Sequence, residues 1–346
     1  MTTTAGSRRR RPTMADVAER AGVSRTLVSF ILAGKPGAGE ETQQRVLAVA
    51  EELGYRPDSV ARMLARGRSR TLGVLVDMSQ LFQSELVTHM YPAAEALNHD
   101  VLLTANLPER SEVSSLERLI DHRCGALIVL GPHTDGAELL PVAARAPMVV
   151  VGRTLTEDVL HAGAVATVRT DDHLGMAQAV DYLVGLGHRD ILHVDGGDGP
   201  GAGDRTLGYR TAMQRHGLSE HIAIVAGAHR EDAGARAARE LLGRSRLPTA
   251  ILAGNDRCAL GLLDVFTRAG VDVPGDISLV GYDDSLLSDN PRIDLTTIHQ
   301  DATGMATTAV DLAVAMLTDQ SDGGDDVVLE PSLKVRGTTA PPREQR

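Results

Sequence analysis

From Thr71 onwards, the sequence alternates short β-rich runs with segments long enough to form helices. The runs are TLGVLV, VLLTA, GALIVL, PMVVVG, VATVR, ILHV, IAIVA, AILA and SLVGY, and most are separated by helix-length segments such as 111–123, 170–186 and 255–269. This alternation predicts βαβ units built around parallel sheets. About 270 residues of this pattern are more than a single sheet usually accommodates. We therefore expect two sheets, with the cleft between them as the natural ligand site.

Residues 13–70 have the period of helices rather than of strands. Thr13 and Asp16 have the spacing of a capping box at the start of a first helix. Gly22 provides a tight turn, after which Ser24 is placed to cap a second helix. A helix, a short glycine turn and a helix form the helix-turn-helix pattern, and a third helix over residues 40–53 would close the core. The predicted core residues are Val17, Ala18, Ala21, Leu27, Val28, Ile31, Leu32, Val46, Val49, Ala50 and Leu53.

Charge is divided unevenly along the chain. Residues 1–70 contain 13 Lys or Arg against 7 Asp or Glu, whereas the remaining residues contain 22 against 39. Because attraction to phosphate follows local rather than total charge, a basic head on an acidic body predicts polyanion binding at one end. The exposed side chains of the second helix include Arg25, Thr26 and Ser29, which suit base edges and phosphates. A helical bundle that serves only as a protein-contact domain is the alternative.

Composition and motifs disfavour several other classes of protein. Cys124 and Cys258 lie far apart in apolar runs, which is typical of buried free thiols rather than of a disulfide or a metal site. His188, Arg189 and Asp190 imitate a kinase catalytic loop without its accompanying motifs, and GGDGPGAGD lacks the ending of a phosphate-binding loop. The N-terminus, MTTTAGSRRRRP, lacks the apolar core of a signal peptide, and no segment approaches the roughly 18 apolar residues of a membrane span. We therefore expect a cytoplasmic protein without enzymatic activity, cofactor or metal.

Five motifs follow one another between residues 13 and 70: D-V-A-x-x-A-G-V-S, L-V-S, E-E-T-x-x-R-V, E-L-G-Y-x-P and A-R-x-L. In their order and spacing they resemble the DNA-binding head and hinge of the LacI/GalR family of transcriptional regulators. Matches continue with TDDHLGMAQAVDYLVGLGHRDILHV, NDRCALGLL, VPGDISLVGYDD, LTTIHQD and LEPSLKVRGTT, so the resemblance covers about residues 13–340. It implies an all-α helix-turn-helix DNA-binding head and an α/β periplasmic-binding-protein-like body of two doubly wound subdomains.

In the resembled family, the second helix enters the major groove of DNA. By position, this implies DNA contacts from Ser24, Arg25, Thr26, Ser29 and Phe30. The chain departs from the family pattern at Phe30, where Arg is common, and at Ala33, where Asn is common. Phe30 suits either contact with a thymine methyl group or simple packing, so we expect a different operator preference.

The segment from Pro57 to Arg70 follows the three predicted helices. It contains about two turns of helix, too few to be stable alone in water. In the resembled family, this hinge folds when a dimer meets its operator, and a Leu at the position of Leu64 enters the minor groove. The implied DNA-contacting residues are Ala61, Leu64 and Ala65. A linker helix without DNA contact is the alternative. The arginines at positions 8–11 form either an arm that touches phosphate or a solvated tail.

The ligand candidates are polar residues at the ends of the predicted strands. Carboxylates and amides exchange hydrogen bonds with hydroxyl groups, and Arg can bind two oxygens at once, so the set suits a small hydroxylated or anionic molecule. Arg205 and Asp283 occupy positions that bind effector in the resembled family, and His229 stands where that family often has an aromatic residue. Asp256, next to Asn255, is a further candidate. For Asp77 and for Asp256, a role as a helix cap or in a turn is the alternative to ligand contact. The predicted effector-binding residues are Asp77, Arg205, His229, Asn255 and Asp283.

The resemblance also implies domain boundaries. A disordered basic arm would take residues 1–12, the helix-turn-helix domain 13–56, the hinge helix and linker 57–70, the effector-binding and dimerisation domain 71–340, and a tail 341–346. The first subdomain of the body would take about 71–169 with 299–326, and the second about 170–296 with 329–340. The chain would cross between them near Thr170, near residues 296–298 and near residues 326–329.

These features together predict a ligand-controlled, sequence-specific DNA-binding transcriptional regulator, a repressor that binds a near-palindromic operator as a homodimer. The effector would be a sugar, a nucleoside or another hydroxylated or anionic metabolite bound in the cleft, where it changes the population of the DNA-competent state. A solute-binding protein of a transport system is the alternative, since the body alone would serve. The basic head and the lack of a signal-peptide core argue against that alternative.

Overall fold

The computed structural model describes residues 12–32, 37–55, 69–107, 109–162 and 164–343. The chain divides between Ser69 and Arg70 into two compact units, a head of residues 1–69 and a body of residues 70–346. Several sequence-based expectations fall outside the described residues: the arginines at positions 8–11, Ala33, and the hinge positions Ala61, Leu64 and Ala65.

The described residues of the head form three helices, α1 (Met14–Ala21), α2 (Arg25–Leu32) and α3 (Glu40–Glu52). The predicted capping box is present, because the Thr13 backbone N donates to Asp16 Oδ2 at 2.7 Å and the Asp16 backbone N donates to Thr13 Oγ1 at 3.4 Å. Gly22 ends α1 with a positive φ of 67°, a conformation that favours glycine. The local residue chemistry therefore sets both ends of the first helix.

A small apolar core joins the three helices of the head. α1, α2 and α3 each contribute to it, and the partly buried Leu27, Leu32, Val49 and Leu53 pack against its edge. Two of the four inward residues predicted for α2 are fully buried, and the other two lie at this edge. The buried members are Val17, Ala18, Ala21, Val28, Ile31, Val46 and Ala50.

The body contains two six-stranded sheets. The first has the strand order β11-β5-β4-β3-β1-β2, and all its neighbouring strands are parallel. Its strands are β1 (Thr71–Val76), β2 (Asp100–Ala105), β3 (Ala126–Leu130), β4 (Met148–Val151), β5 (Val165–Thr170) and β11 (Asp326–Leu329).

The second sheet has the order β12-β10-β9-β8-β6-β7, and only β12 runs antiparallel to its neighbour. All nine β-rich runs of the sequence form strands, β1 to β9 in order. The strands of this sheet are β6 (Ile191–Val194), β7 (Ala223–Val225), β8 (Ala250–Ala253), β9 (Ser278–Asp283), β10 (Thr296–His299) and β12 (Ser332–Lys334).

Helices cover both faces of each sheet, so each subdomain is doubly wound. In the first subdomain, α4 and α12 share one apolar cluster with the sheet, and α5 and α6 share the other. In the second, α10 and α11 cover one face, and α8 and α9 cover the other. The helices are α4 (Leu81–Ala96), α5 (Glu112–Asp121), α6 (Gly136–Ala143), α7 (Glu157–His161), α8 (Asp172–Gly185), α9 (Ala202–Arg215), α10 (Glu231–Leu242), α11 (Asp256–Arg268) and α12 (Ala302–Leu317).

The chain passes between the two subdomains at three points. It leaves the first sheet after Thr170, returns from the second sheet after His299, and leaves the first sheet again after Leu329. The second and third crossings lie a few residues further along the chain than the sequence-based boundaries. The reason is that β10 pairs with β9 and β11 pairs with β5 along their full lengths, so each strand belongs wholly to one sheet.

Candidate functional site

One side of α2 is polar and exposed. Ser24 precedes the helix, and its Oγ accepts a hydrogen bond from the backbone N of Leu27 at 3.2 Å. Val28 and Ile31 point into the head core, which leaves the opposite side of the helix to solvent. All five predicted DNA-contacting residues of this region are exposed: Ser24, Arg25, Thr26, Ser29 and Phe30. Their contact with DNA stays a prediction.

The body contains a cavity of about 640 Å³ at the carboxyl ends of the strands of both sheets. Parallel strands end at the same edge of a sheet, so side chains that are distant in sequence meet there. The predicted ligand residues all line this cavity: Asp77, Arg205, His229, Asn255 and Asp283. Polar lining residues that the sequence interpretation did not single out are Ser79, Gln80, Gln83, Asn106, His133, Asp198, Arg230 and Gln300.

Arg205 is the most deeply buried charged residue among those that line the cavity. Its Nε donates to Asp172 Oδ1 at 3.0 Å, and its Nη1 donates to the Gly254 backbone O at 2.7 Å. Its Nη1 also lies 3.8 Å from Asp283 Oδ1, and the guanidinium lies 3.7 Å from the ring centroid of Tyr282. Arginine suits this site because a planar, delocalised cation can donate at its edge and stack on a ring with its face.

A chain of hydrogen bonds connects this group to two of the crossings between subdomains. Gln300, directly after β10, donates from Nε2 to Asp283 Oδ1 at 2.7 Å. Thr170, at the end of β5, donates from Oγ1 to Gln300 Oε1 at 2.8 Å. Asp172, which binds Arg205, lies two residues after Thr170. A ligand that contacts Arg205 or Asp283 is therefore one or two hydrogen bonds away from the residues at which the chain changes subdomain.

Asp283 combines an unusual backbone conformation with a buried carboxyl group. Its φ is 119°, a region that few residues other than glycine adopt. Burial raises the pKa of the Asp283 carboxyl to about 8, although the nearby Arg205 guanidinium acts in the opposite direction. The site thus holds a carboxyl group that can either donate or accept a hydrogen bond near neutral pH.

Asp283→Asn is expected to change how stability depends on pH. A carboxyl whose folded pKa lies above its unfolded pKa of about 3.9 binds more protons in the folded state, so the free energy of unfolding falls as pH rises from about 4 to about 8. The asparagine variant lacks this term. From pH 5 to pH 8, its stability relative to wild type should rise by more than about 1 kcal/mol, because one pKa unit corresponds to about 1.4 kcal/mol.

Urea unfolding at several pH values measures this difference. The exposed Asp264, on α11, provides the control, and Asp264→Asn should run parallel to wild type. Parallel profiles for Asp283→Asn as well would mean that the Asp283 carboxyl is ionised throughout this range.

A buried carboxylate shapes the wall of the cavity in the first subdomain. Glu112, in the first turn of α5, accepts hydrogen bonds from Asn106 Nδ2 at 2.8 Å and from the backbone N atoms of His133 and Thr134 at 3.1 and 2.9 Å. Asn106 and His133 line the cavity. Glu112 does not line it and was not predicted, since its sequence context indicates only an acidic residue at a helix start.

The imidazole ring of His229 is neutral in the cavity. Burial lowers the pKa of its imidazole to about 3, and the positive charge of Arg205 acts in the same direction. The ring packs so closely on the turn of residues 196–199 that a Cβ atom at Gly196 would lie 2.1 Å from His229 Nε2. The space beside His229 therefore depends on the absence of a side chain at Gly196.

The two residues after β8 have different roles. Asn255 lines the cavity and also caps α11, because its Oδ1 accepts from the Cys258 backbone N at 2.9 Å. Asp256 is fully buried, and its carboxylate accepts hydrogen bonds from Ser285, Ser288 and Thr297. Asp256 is thus neither a helix cap nor a cavity residue, and it ties the loop after β9 to β10.

The remaining sequence motifs have structural roles. His188, from the kinase-like tripeptide, is buried, and its ring nitrogens lie 2.9 Å from Thr249 Oγ1 and from the Ala340 backbone O. Cys124 and Cys258 are buried free thiols, as predicted.

Within the described ranges, no helix is long and apolar enough to cross a membrane. In the same part of the chain, no group of His, Cys, Asp and Glu side chains is arranged to hold a metal ion.

Comparison with known proteins identifies the family. The family model described as bacterial regulatory proteins, lacI family, matches residues 13–58, and the one described as periplasmic binding protein-like domain matches residues 180–339. The transcriptional regulator GalR of Escherichia coli (strain K12) is 33% identical over 334 residues, which cover 95% of this chain and 96% of GalR. The chain belongs to the LacI family.

Solved structures of LacI-family proteins share the fold. A LacI transcriptional regulator from a Rhodococcus species is 46% identical, with a TM-score of 0.74 over 79% of this chain and 99% of that one. The lac repressor dimer bound to operator and the anti-inducer ONPF is 28% identical, with a TM-score of 0.84 over 96% of this chain and 100% of that one. The predicted family and fold class are confirmed. As a LacI-family member, the chain is a DNA-binding transcriptional regulator with a ligand-binding body.

Proposed function

We propose that this LacI-family regulator is a cytoplasmic repressor that binds a near-palindromic operator as a homodimer, and that a small neutral polyhydroxylated molecule in the cleft controls its DNA affinity. The observation that carries the proposal is the presence, in one chain, of the exposed face of α2 and of a cavity at which all five predicted ligand residues meet. A two-fold dimer presents two copies of α2 to successive half-sites, which explains why the operator should be near-palindromic.

The chemistry of the cavity favours hydroxyl groups over anionic groups. Both arginines among its described lining residues already have acidic partners, since Arg205 contacts Asp172 and Arg230 pairs with Asp232. An added anion would have to compete with these carboxylates. The cavity also presents the carboxyl groups of Asp77 and Asp198, which accept hydrogen bonds from hydroxyl groups and repel anions. A neutral sugar or nucleoside therefore fits better than a phosphorylated or acidic metabolite.

Structures of related regulators support this ligand class. A LacI-family regulator from Enterococcus faecium, 25% identical, contains bound ribose. The regulator CelR, 28% identical, forms a complex with cellobiose. Both ligands are neutral sugars. In this chain, His229 stands where the resembled family often has an aromatic residue. We expect recognition here to rely on hydrogen bonds from amides and carboxyl groups more than on stacking.

The solute-binding alternative accounts for only part of the chain. A transport protein would use the body, but it would have no use for a head that matches the lacI family model over residues 13–58. The proposal assigns the cavity to ligand binding and assigns no catalytic step to its residues.

The proposed function is tested by selecting operator DNA from genomic fragments and measuring its affinity in a mobility-shift assay at fixed salt. Arg25→Ala should weaken operator binding by about 1–3 kcal/mol, because the exposed guanidinium at the start of α2 is lost as a base-edge contact. Arg268→Ala removes the same charge from an exposed ion pair on α11 and should leave the operator affinity unchanged.

Failure of the wild-type protein to prefer any fragment over competitor DNA would contradict the proposal. D-ribose and cellobiose are then added to the operator complex, with D-gluconate as an anionic comparison. A neutral sugar should shift the operator affinity, and gluconate should not. A response to gluconate alone would overturn the assigned ligand class.

A further inference from the structure

Arg257 joins the two subdomains at the edge of the ligand cavity. It lies in the first turn of α11, and its side chain is 15% exposed. Its Nε donates to Glu231 Oε1 at 2.8 Å, and its Nη2 donates to Glu231 Oε2, so the ion pair is bidentate. Its Nη1 donates to the Ser79 backbone O at 2.6 Å. Glu231 and Arg257 belong to the second subdomain, whereas Ser79 belongs to the first.

The loop that Arg257 reaches forms part of the cavity wall. The Ser79 backbone N donates to Asp77 Oδ1 at 2.8 Å, and the Asp77 backbone N donates to Gln83 Oε1 at 2.7 Å. These bonds tie the backbone at Asp77 and Ser79 into the first subdomain. Asp77, Ser79, Gln80 and Gln83 all line the cavity. The segment of residues 77–83, which is the loop after β1 with the first three residues of α4, is therefore both a ligand-facing wall and the partner of Arg257.

A second contact beside Arg257 acts in the same direction. Gln80 Nε2 donates to the backbone O of His229 at 3.3 Å, and His229 lies on the cavity wall of the second subdomain. Two consecutive residues of the first subdomain, Ser79 and Gln80, thus contact the second subdomain at one edge of the cavity. Thr154 Oγ1 and Asp204 Oδ2, 2.6 Å apart, make a further contact between the subdomains.

We propose that Arg257 is a positioning residue of the ligand site, which holds the segment of residues 77–83 against the second subdomain and keeps the cleft closed around its ligand. The inference rests on the proposed function only in assigning a ligand to the cavity. Arginine is suited to this role because its fork satisfies both oxygens of Glu231 and leaves Nη1 free to donate to Ser79.

A purely local role within the second subdomain is the competing explanation. In that case, the ion pair would only tie α10 to α11. These two helices already share a buried apolar cluster that contains Ala237, Leu241, Cys258 and Leu262. Their packing therefore does not need Arg257, whereas the hydrogen bonds of Ser79 and Gln80 are what join the segment of residues 77–83 to the second subdomain.

Hydrogen exchange measured by mass spectrometry on the ligand-free full-length protein separates the two roles. In Arg257→Gln, amides of residues 77–84 should exchange about tenfold faster than in wild type, because this segment is no longer held against the second subdomain. Arg268→Gln, which disrupts an exposed ion pair on the same helix, should leave these amides unchanged. Arg257→Lys keeps a positive charge beside Glu231 without the fork, and should show a partial acceleration.

Unchanged exchange of residues 77–84 in both Arg257 variants would overturn the proposal, even if α10 and α11 themselves became less protected. Calorimetry with D-ribose and cellobiose adds a second readout. Binding of the sugar that wild type accepts should weaken about tenfold in Arg257→Gln, equivalent to about 1.4 kcal/mol, and should not change in Arg268→Gln.

The two measurements distinguish failure of the inference from failure of the proposed function. Faster exchange in Arg257→Gln, with no sugar binding to wild type, would support the positioning role and contradict the assigned ligand class. Sugar binding with unchanged exchange in both Arg257 variants would contradict the positioning role and leave the proposed function intact.

Discussion

Arg205→Ala is expected to destabilise the body by about 3–5 kcal/mol, because it removes the cation of a buried ion pair and leaves the Asp172 carboxylate without compensation. Arg205 is 6% exposed, and it lies 3.0 Å from Asp172 and 3.8 Å from Asp283. The loss of a ligand response in this variant would therefore have two causes, a missing contact and a weakened body. Urea unfolding followed by circular dichroism measures the stability difference.

Arg215→Ala is the matched control for this prediction. Arg215 lies on the same helix, α9, but its ion pair with Asp181 is exposed, with 56% of the Arg215 side chain accessible. Exposed ion pairs contribute about 0–1 kcal/mol, so Arg215→Ala should change stability little. Similar losses for the two variants would show that the buried network around Arg205 adds nothing to the stability of the body. Arg205→Lys, which keeps the charge, helps to separate ligand contact from folding.

Asp256→Ala is expected to cost about 3 kcal/mol or more, because each buried hydrogen-bond donor left without a partner costs about 1–3 kcal/mol. The Asp256 carboxylate accepts from the Ser285 backbone N at 2.8 Å, from Ser285 Oγ at 3.0 Å and from Thr297 Oγ1 at 2.6 Å. It also accepts from Ser288 Oγ at 2.5 Å. Loss of these bonds should loosen the loop after β9 and the strand that leads to the second crossing.

Chemical unfolding gives the stability loss for Asp256→Ala, and hydrogen exchange over residues 284–299 locates it. Asp264→Ala, on the same helix, removes an exposed carboxylate and should have a small effect. Asp256→Asn keeps the volume of the side chain and should lie between the two. If Asp256→Ala and Asp264→Ala unfold at the same urea concentration, the four hydrogen bonds do not stabilise the body.

The alternation of strands and helices predicted most of the body, because strands buried on both faces read as short apolar runs. The nine runs correspond to β1 to β9. The strands that periodicity alone did not identify, β10, β11 and β12, contain polar residues or lie at or near sheet edges, as in TTIH, DVVL and SLK. Their places were implied only by the family resemblance. The second and third crossings between the subdomains were therefore placed a few residues too early in the chain.

Asp77, Asn255 and Asp283 were predictable because polar residues at the ends of parallel strands are brought together at one edge of the sheet. Arg205 lies within α9 rather than at a strand end, and its prediction, like that of His229, rested on the family resemblance. Gln300 follows β10 in the same way and could have been found by the same rule. Asp172 could not, because Asp171 and Asp172 both stand at the start of α8, and sequence does not distinguish the cap from the residue that binds Arg205. Asp171 proves to be the cap, since its Oδ1 accepts from the Leu174 backbone N. Long-range pairs of this kind depend on the packing of α8 against α9.

The order in which the chain supplies its core residues has a consequence for synthesis. α12, which spans Ala302–Leu317, packs into the same apolar cluster as β1, β3, β4 and β5, and β11 completes the first sheet. A ribosome must therefore translate almost the whole body before the first subdomain can close its core, although three strands of that sheet lie within the first 130 residues. Domains usually fold in order during translation. In this protein, neither sheet has all its strands until β11 and β12 have been synthesised.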